Sequence, residues 1–323
     1  MRYIVIGAGA VGGTIGARLH QGGHEVLLIA RGAHYEALRR DGLRLVTPDS
    51  DETLDIPAAD GPVPTRDDDV LILATKSQDT VAALAPWPSG LPVVCAQNGV
   101  DNERMVLRRF ERVYGMCVWL PAQHMEPGLV EAYGHPNSGM LHVGRYPQGV
   151  DELTTQIVTD LGKRDLVAHA APDVMRWKYG KLLGNLGNAV EALLGHVPGL
   201  ENVLRRAREE AMTVLRAAGI DYSTPEEEAE SRGDQVNGRP IEGSKRGGGS
   251  SWQSLARGSG SIEADYLNGE IVLLGRLHGV PTPVNEVLRR EANRHAREKL
   301  PPGSMPMETL LALIDGRSAA GSR

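Results

Sequence analysis

The stretch VIGAGAVGGTIGARLHQGGHEVLLIARGAH, Val5–His34, decides the fold of the N-terminal part. Arg2 to Ile6 is a short β-rich run. Gly7-Ala8-Gly9-Ala10-Val11-Gly12 follows, then a helical pattern to about Gly22, then a second apolar run from His24 to Ala30. Strand, glycine-rich turn, helix and strand within ~30 residues is the context in which G-x-G-x-x-G acquires meaning. Gly7 permits the tight turn, Gly9 lets the backbone approach a pyrophosphate, and Gly12 lets helix pack closely on strand. The helix start offers unpaired N–H groups and a partial positive charge to the phosphates. A dinucleotide-binding, Rossmann-type α/β domain is the expectation, with Gly7, Ala8, Gly9, Ala10, Val11 and Gly12 as the cofactor turn.

The second strand sharpens that expectation. In the NAD-binding version an acidic residue at its end accepts from the ribose 2′-hydroxyl. Here that end carries Arg31, while Glu25 lies at the opposite edge of the strand. A guanidinium grips a 2′-phosphate through paired bonds. NADP(H) is therefore expected. Asp69–Ala74 reads as a further strand ending at Thr75-Lys76, and Pro92–Ala96 as another ending at Gln97-Asn98-Gly99. Ligands of open α/β sheets bind beyond the carboxyl ends of strands, so Lys76 and Asn98 are candidate cofactor contacts. Val113 to Leu120 and Leu129 to Val143 are expected to extend the sheet.

Length and composition set the surroundings. The chain of 323 residues suits two domains, expected at 1–171 and 172–323. A net charge of −6 argues against a nucleic-acid binder. No apolar run approaches the ~20 residues of a membrane span. The N-terminal apolar run lacks a cleavage pattern and is expected to be a strand rather than a secretion signal. Cys95 and Cys117 lie in apolar runs and read as core thiols of a reducing compartment, so a cytoplasmic protein without a disulfide framework is expected. The ten histidines show no metal-ligand spacing.

From about Asp173 the pattern is mostly helical. Glu226–Glu230 reads as a solvated acidic patch and Gly243–Ser251 as a flexible loop. A helix is expected over Lys178–Leu194. Leu182, Leu186, Val190, Leu193 and Leu194 form its apolar stripe, and Lys181, Asn185 and Asn188 share the opposite one. One cation and two amides among small residues make either a solvent face or a face open to a ligand. A second helix is expected over Ile262–His278, with a stripe of Tyr266, Leu267, Ile271, Leu273, Leu274 and Leu277. Glu263 and Glu270 fall within that stripe. Glu263 either favours the helix dipole at the first turn or sits at a cleft. Glu270 pairs within the bundle or at a subunit contact, where a homodimer would place it.

Several segments together resemble the ketopantoate reductases (2-dehydropantoate 2-reductases). They are the N-terminal GAGAVG, the TK at 75–76, the QNG at 97–99, the KLLGN at 181–185, the SSW at 250–252 and the IEADYLNG at 262–269. The resemblance spans nearly the whole chain in order. It implies a Rossmann domain, a helical C-terminal domain, an active site in the cleft between them, and NADPH. It implies that Gly7, Gly9 and Gly12 take the pyrophosphate, and that Arg31 and Lys76 take the adenosine-side phosphate. By the same resemblance Asn98 holds the nicotinamide ribose or the substrate. Lys181 matches the family's general acid, Asn185 and Ser251 its substrate-binding positions, and Glu263 its active-site glutamate. The chain departs from the family where a further Asn is often found eight residues after the catalytic Lys. Ala189 stands there, with Asn188 one residue early, and another substrate-contacting Asn is replaced near Gly199. An NADPH reductase of a different 2-oxo acid, ketone or imine therefore stays open. So does a non-catalytic NADP sensor, though Lys181 and Glu263 together argue against the sensor.

Overall fold

The computed structural model describes residues 1–244 and 246–320. Packing divides the chain into two compact units. The first is Met1–Lys178 with Ser223–Arg246, and the second is Tyr179–Tyr222 with Gly247–Arg323. The division thus differs from a single boundary at 171/172. It falls inside the helix Val174–Asn185, and the segment after Tyr222 returns to the first unit. The acidic patch at Glu226–Glu230 goes with it. It lies on the helix Pro225–Arg232, opened by a Thr224–Glu227 capping box and tied by Arg176 to Glu227 at 2.8 Å. The strand Val236–Gly238 of the same segment pairs antiparallel with Gly134–Pro136.

The first unit is an α/β domain around an eight-stranded sheet. Its spatial order is Leu166–Ala170, Gly139–Arg145, Val113–Trp119, Val93–Cys95, Asp69–Leu73, Arg2–Ile6, Glu25–Ile29 and Ala58–Ala59. Neighbours are parallel except where Gly139–Arg145 runs antiparallel to Val113–Trp119. The chain leaves Arg2–Ile6 toward one edge and later returns to its other side at Asp69–Leu73, so the strand order reverses beside the first strand. Beyond the carboxyl ends at such a reversal, open α/β sheets offer a crevice. The strands flanking the reversal are apolar on both faces, as sheets covered by helices require. Tyr3, Ile4, Val5, Leu71 and Ile72 are each 1% exposed or less. The run from Leu129 does not all join this sheet. Leu129–Ala132 pairs with Leu43–Val46 in a separate four-stranded sheet, and only Gly139–Arg145 extends the main one.

The second unit is helical. Its core gathers Val190, Leu193 and Leu194 with Val203, Val287, Leu288, Leu310 and Ile314. Two expected helices are interrupted. The first runs Val174–Asn185 and resumes as Gly187–Leu194, with Leu186 between. Its expected apolar stripe is buried throughout, at 2% exposure or less. The second begins only at Asn268, after a single 3₁₀ turn at Glu263–Asp265. Leu267 turns out of helical conformation there (φ −112°, ψ −89°). The interruption re-aims the stripe: Ile271, Val272 and Leu274 are buried, whereas Leu273 and Leu277 are 49% and 67% exposed. The expected loop at Gly243–Ser251 is shorter, because Ser250–Ala256 is helical. Lys245 of that loop lies outside the described residues.

Candidate active site

In the first unit the glycine turn leaves the first strand at Gly7 and enters the helix Ala10–Gln21. Gly7 has φ +98°, where an L side chain is strained, and a Cβ there would lie 2.9 Å from the Thr75 nitrogen. A Cβ on Gly12 would overlap the Gly7 carbonyl oxygen and stand 2.9 Å from the Ala74 methyl. Gly9 is different. A Cβ there meets only the His124 Cδ2, at 4.0 Å. The protein's own packing thus demands two of the three glycines and leaves the third bare. The helix start carries no side-chain cap and no acidic residue in its first turn. Bare backbone at an uncapped helix start is a fit for a pyrophosphate. The other turn residues fall in place around it, with Ala8 buried and Ala10 and Val11 partly covered.

A histidine fastens this turn from the side. His34 Nδ1 accepts from the Gly128 N–H at 2.9 Å, so its proton sits on Nε2, which lies 2.7 Å from the Ala8 carbonyl. Burial lowers the His34 pKa, which keeps that neutral tautomer. Its ring leans on His124 at 4.2 Å between centroids. Nothing in the spacing of the sequence pointed to either residue.

The charged candidates stand at the same edge of the sheet. Arg31 is exposed, two residues beyond the strand Glu25–Ile29, and starts the helix Gly32–Asp41. Lys76 follows the strand Asp69–Leu73 by three residues and opens a 3₁₀ turn. Both strands flank the first, with Ile6 opposite Ile29 and Leu73. Glu25, at the other edge, pairs with Arg66 at 2.7 Å. Thr75, between the last strand residue and Lys76, buries a hydroxyl with no hydrogen-bond partner among the described residues. Asn98 follows Val93–Cys95, and its carbonyl accepts from Asn102 Nδ2 at 2.9 Å. The first unit therefore brings Gly7–Gly12, Arg31, Lys76 and Asn98 to the carboxyl edge of adjacent strands.

Beneath Asn98 lies a buried ion pair. Lys178 bonds Glu103, with the two at 3% and 0% exposure. Burial pushes the Glu103 carboxyl up from its ordinary range, against the pull of the Lys178 ammonium. The same burial, with Glu103 nearby, holds the Cys95 thiol well above its usual pKa and therefore protonated. A signal for Lys178 did exist: Val174, Lys178 and Leu182 share one helical stripe, and Val174 and Leu182 are fully buried. A helix taken to begin at Lys178 hides it.

In the second unit the candidates are side chains. Lys181 is half-buried on the helix Val174–Asn185, and Asn185 lies one turn later. Asn185 Nδ2 is buried and finds no hydrogen-bond partner among the described residues. Ser251 is 3% exposed in the first turn of Ser250–Ala256, and Glu263 is 8% exposed at the start of its 3₁₀ turn. Asn188 is engaged elsewhere: its amide donates to Ser250 Oγ at 3.3 Å. Glu191 accepts the Gly249 N–H at 2.9 Å, which anchors the start of that helix. The break at Leu186 is held by amides. Asn268 Nδ2 donates to the Leu186 carbonyl (3.3 Å) and to Asn285 Oδ1 (3.0 Å), and Asn285 donates to Glu210 (2.9 Å). The Asn of the IEADYLNG segment therefore fixes the backbone one residue past Asn185. Glu270 is partly exposed in the first turn of Asn268–His278.

The sequence matches the family model for ketopantoate reductase PanE/ApbA over residues 3–148, and the family's C-terminal model over 173–295. The 2-dehydropantoate 2-reductase of Halobacterium salinarum is 31% identical over 307 residues, covering 89% of this chain and 96% of the relative. The chain belongs to the ketopantoate reductase family. The 2-dehydropantoate 2-reductase of Pyrococcus abyssi is 27% identical, covering 89% and 95%. Among solved structures, a PanE/ApbA family ketopantoate reductase from Ralstonia eutropha superposes with a TM-score of 0.77 at 28% identity, covering 93% of this chain and 99% of that one. A D-mandelate dehydrogenase with NADH and anilino(oxo)acetate shares the fold, at a TM-score of 0.78 and 23% identity over 93% and 100%. Family membership makes the protein an oxidoreductase that works with a nicotinamide cofactor. Among the described residues no helix is long and apolar enough to cross a membrane, and no cluster of His, Cys, Asp and Glu could hold a metal.

Proposed function

We propose that this protein reduces the keto group of a 2-oxo acid, 2-dehydropantoate in the first place, to the 2-hydroxy acid with NADPH. Asn185 carries the reading. It is a buried amide donor with no hydrogen-bond partner among the described residues, one helical turn from Lys181. A buried donor left unpaired costs about 1–3 kcal/mol, which an oxygen-rich ligand would recover. The relatives named as 2-dehydropantoate 2-reductases favour that substrate.

The nicotinamide supplies a hydride when bound. Gly7, Gly9 and Gly12 with the uncapped helix start hold the pyrophosphate. Arg31 and Lys76 hold the 2′-phosphate side, and Asn98 the nicotinamide ribose. Lys181, as an ammonium, stabilises the charge that builds on the substrate's carbonyl oxygen, then gives that oxygen its proton from Nζ. Glu263 orients the ammonium and accepts from a substrate hydroxyl. Ser251 and Asn185 bind the substrate's oxygens and fix its orientation.

A second reading has its own observation. Ala189 stands where the resemblance would put an asparagine, and Asn188 is spent on Ser250. A different 2-oxo acid therefore stands behind 2-dehydropantoate. Steady-state assays with 2-dehydropantoate and a panel of 2-oxo acids, each with NADPH and NADH, separate the two. The expected outcome is highest kcat/KM with 2-dehydropantoate and NADPH, with Arg31→Ala losing the preference for NADPH over NADH. A faster turnover of another oxo acid moves the assignment to that acid. No turnover of any, with NADPH still bound, leaves a cofactor sensor.

A further inference from the structure

The Lys178–Glu103 pair has no part in the chemistry above, yet among the described residues it is the most deeply buried ion pair of the first unit. Pairs of this kind gain little stability over apolar residues of the same volume, so their placement calls for another account. Here the placement is specific. Besides Glu103, the Lys178 ammonium donates to the Gln97 carbonyl at 3.1 Å. Gln97 is the residue before Asn98, in the turn whose Gly99 takes φ +78°.

The rest of that turn is secured by neutral groups from below. Gln97 Nε2 donates to the Thr75 carbonyl at 3.0 Å and to Thr80 Oγ1 at 2.9 Å. Thr80 Oγ1 donates to Asn102 Oδ1 at 3.0 Å, and Asn102 Nδ2 to the Asn98 carbonyl at 2.9 Å. The two loops that carry Lys76 and Asn98 are therefore laced together through one glutamine. Lys178 is the charged tie in this lacing, and Glu103, on the helix Asn102–Leu107, fixes where the ammonium sits. Charge-assisted bonds hold geometry more tightly than neutral ones.

We infer that Lys178 is a positioning residue: through the Gln97 carbonyl it sets the Gln97–Gly99 turn, and with it the placement of Asn98 against the nicotinamide half of the cofactor. The inference rests on the proposed cofactor role of Asn98. Misplacement of such a contact by about 1 Å costs up to ~10²-fold in rate. Lys178 therefore governs how well the cofactor is aligned.

The test separates the two roles by removing both charges at once. Lys178→Met/Glu103→Leu leaves no unpaired buried charge. Its melting temperature is read by circular dichroism, its NADPH affinity by the cofactor's fluorescence, and its kinetics with saturating 2-oxo acid. The expected result is a melting temperature near that of the unaltered protein, with kcat/KM for NADPH reduced by roughly 10–100-fold. A stable double variant with unaltered kinetics overturns the proposal. Glu103→Gln is the second variant, which decides the matter if the double variant does not fold. Its amide oxygen still accepts from the ammonium and keeps it beside the Gln97 carbonyl, so its kinetic loss is smaller than that of Lys178→Met. An equal loss in the two single variants, measured on folded protein, overturns the proposal. The reading beneath fails separately: an unaltered protein that binds no NADPH sinks the cofactor role of Asn98 itself.

Discussion

The glycine turn and the helical unit that carries Lys181 and Glu263 are built on opposite plans. The turn offers backbone N–H groups, placed by close contacts among Gly7, Gly12, Ala74 and Thr75. The helical region offers side chains, placed by two interrupted helices and a chain of buried amides from Leu186 through Asn268 and Asn285 to Glu210. Backbone-built sites depend on residues that lack a side chain at fixed spacing. Side-chain-built sites depend on which way a helix face points, as the late helix start at Asn268 shows.

Two substitutions press hardest on this contrast. Gly12→Ala puts a methyl into the Gly7 carbonyl oxygen and close to Ala74 and Val5. Backbone cannot step aside there as a flexible side chain would. Destabilisation beyond ~4 kcal/mol is expected, read as a collapse of the denaturant midpoint. A variant with ordinary stability would show that packing does not enforce the glycine spacing. Lys181→Ala is the counterpart in the helical region. It should fold and bind NADPH normally while kcat falls by about 10²–10⁴-fold. Unchanged turnover would remove Lys181 from the chemistry.

The two plans also explain what was legible beforehand. The strand–turn–helix–strand order, Arg31 at the strand end and the carboxyl-edge position of Lys76 and Asn98 follow from spacing and alternation, and the sheet reproduces that arrangement. The interruptions at Leu186 and at Glu263–Asp265 were not legible, because the apolar spacing continues through both. At Leu186 the competing interaction is a buried amide from Asn268, which is distant in sequence. The exposed Leu273 and Leu277 are the same miss seen from outside, since a helix that starts at Asn268 presents another face. The return of Ser223–Arg246 to the first unit was hidden for a similar reason. It depends on the pairing of Val236–Gly238 with Gly134–Pro136 and on the Arg176–Glu227 contact, neither of which has a local signature.

Acid and base side chains titrate, whereas polarity held by backbone does not. His142 shows this in the first unit. It stacks on Trp177 at 4.1 Å between centroids, its Nε2 meets Ser231 Oγ at 3.0 Å, and its Nδ1 is buried. Burial, helped by His169, lowers its pKa from 6.5 to about 4. The unfolded chain therefore takes up a proton first as pH falls. The His142 contribution is whole above pH 6.5 and drains away down to about pH 4, by roughly 3 kcal/mol in total. His142→Phe keeps the stack and cannot titrate. The difference in unfolding free energy between the two proteins should slope across that window and be flat above it. A flat difference throughout would mean that His142 is not held neutral.

A smaller effect is expected from the amide chain. Asn268→Ala strips the Leu186 carbonyl and Asn285 of a buried partner, at a cost of about 1–3 kcal/mol. If that chain also sets Asn185, KM for the oxo acid rises while NADPH affinity stays. Loss of stability alone would reduce the network to packing and weaken the contrast with the turn.

Gly9→Ala is the mildest change for the fold and the sharpest for the comparison. A methyl at Gly9 meets only His124 Cδ2 at 4.0 Å, and the residue's φ of −74° is open to any side chain. Stability should move by no more than ~0.5 kcal/mol. If a dinucleotide lies on this backbone, the same methyl occupies the space of the pyrophosphate, and NADPH affinity falls by about 1.4 kcal/mol or more, a factor of ten. Gly12→Ala and Gly9→Ala then part company, one failing in the fold and the other in the ligand. Should Gly9→Ala bind NADPH as well as the unaltered protein does, the bare backbone at the helix start is not where the phosphates sit, and the anion-binding role of this turn falls although its architecture stands.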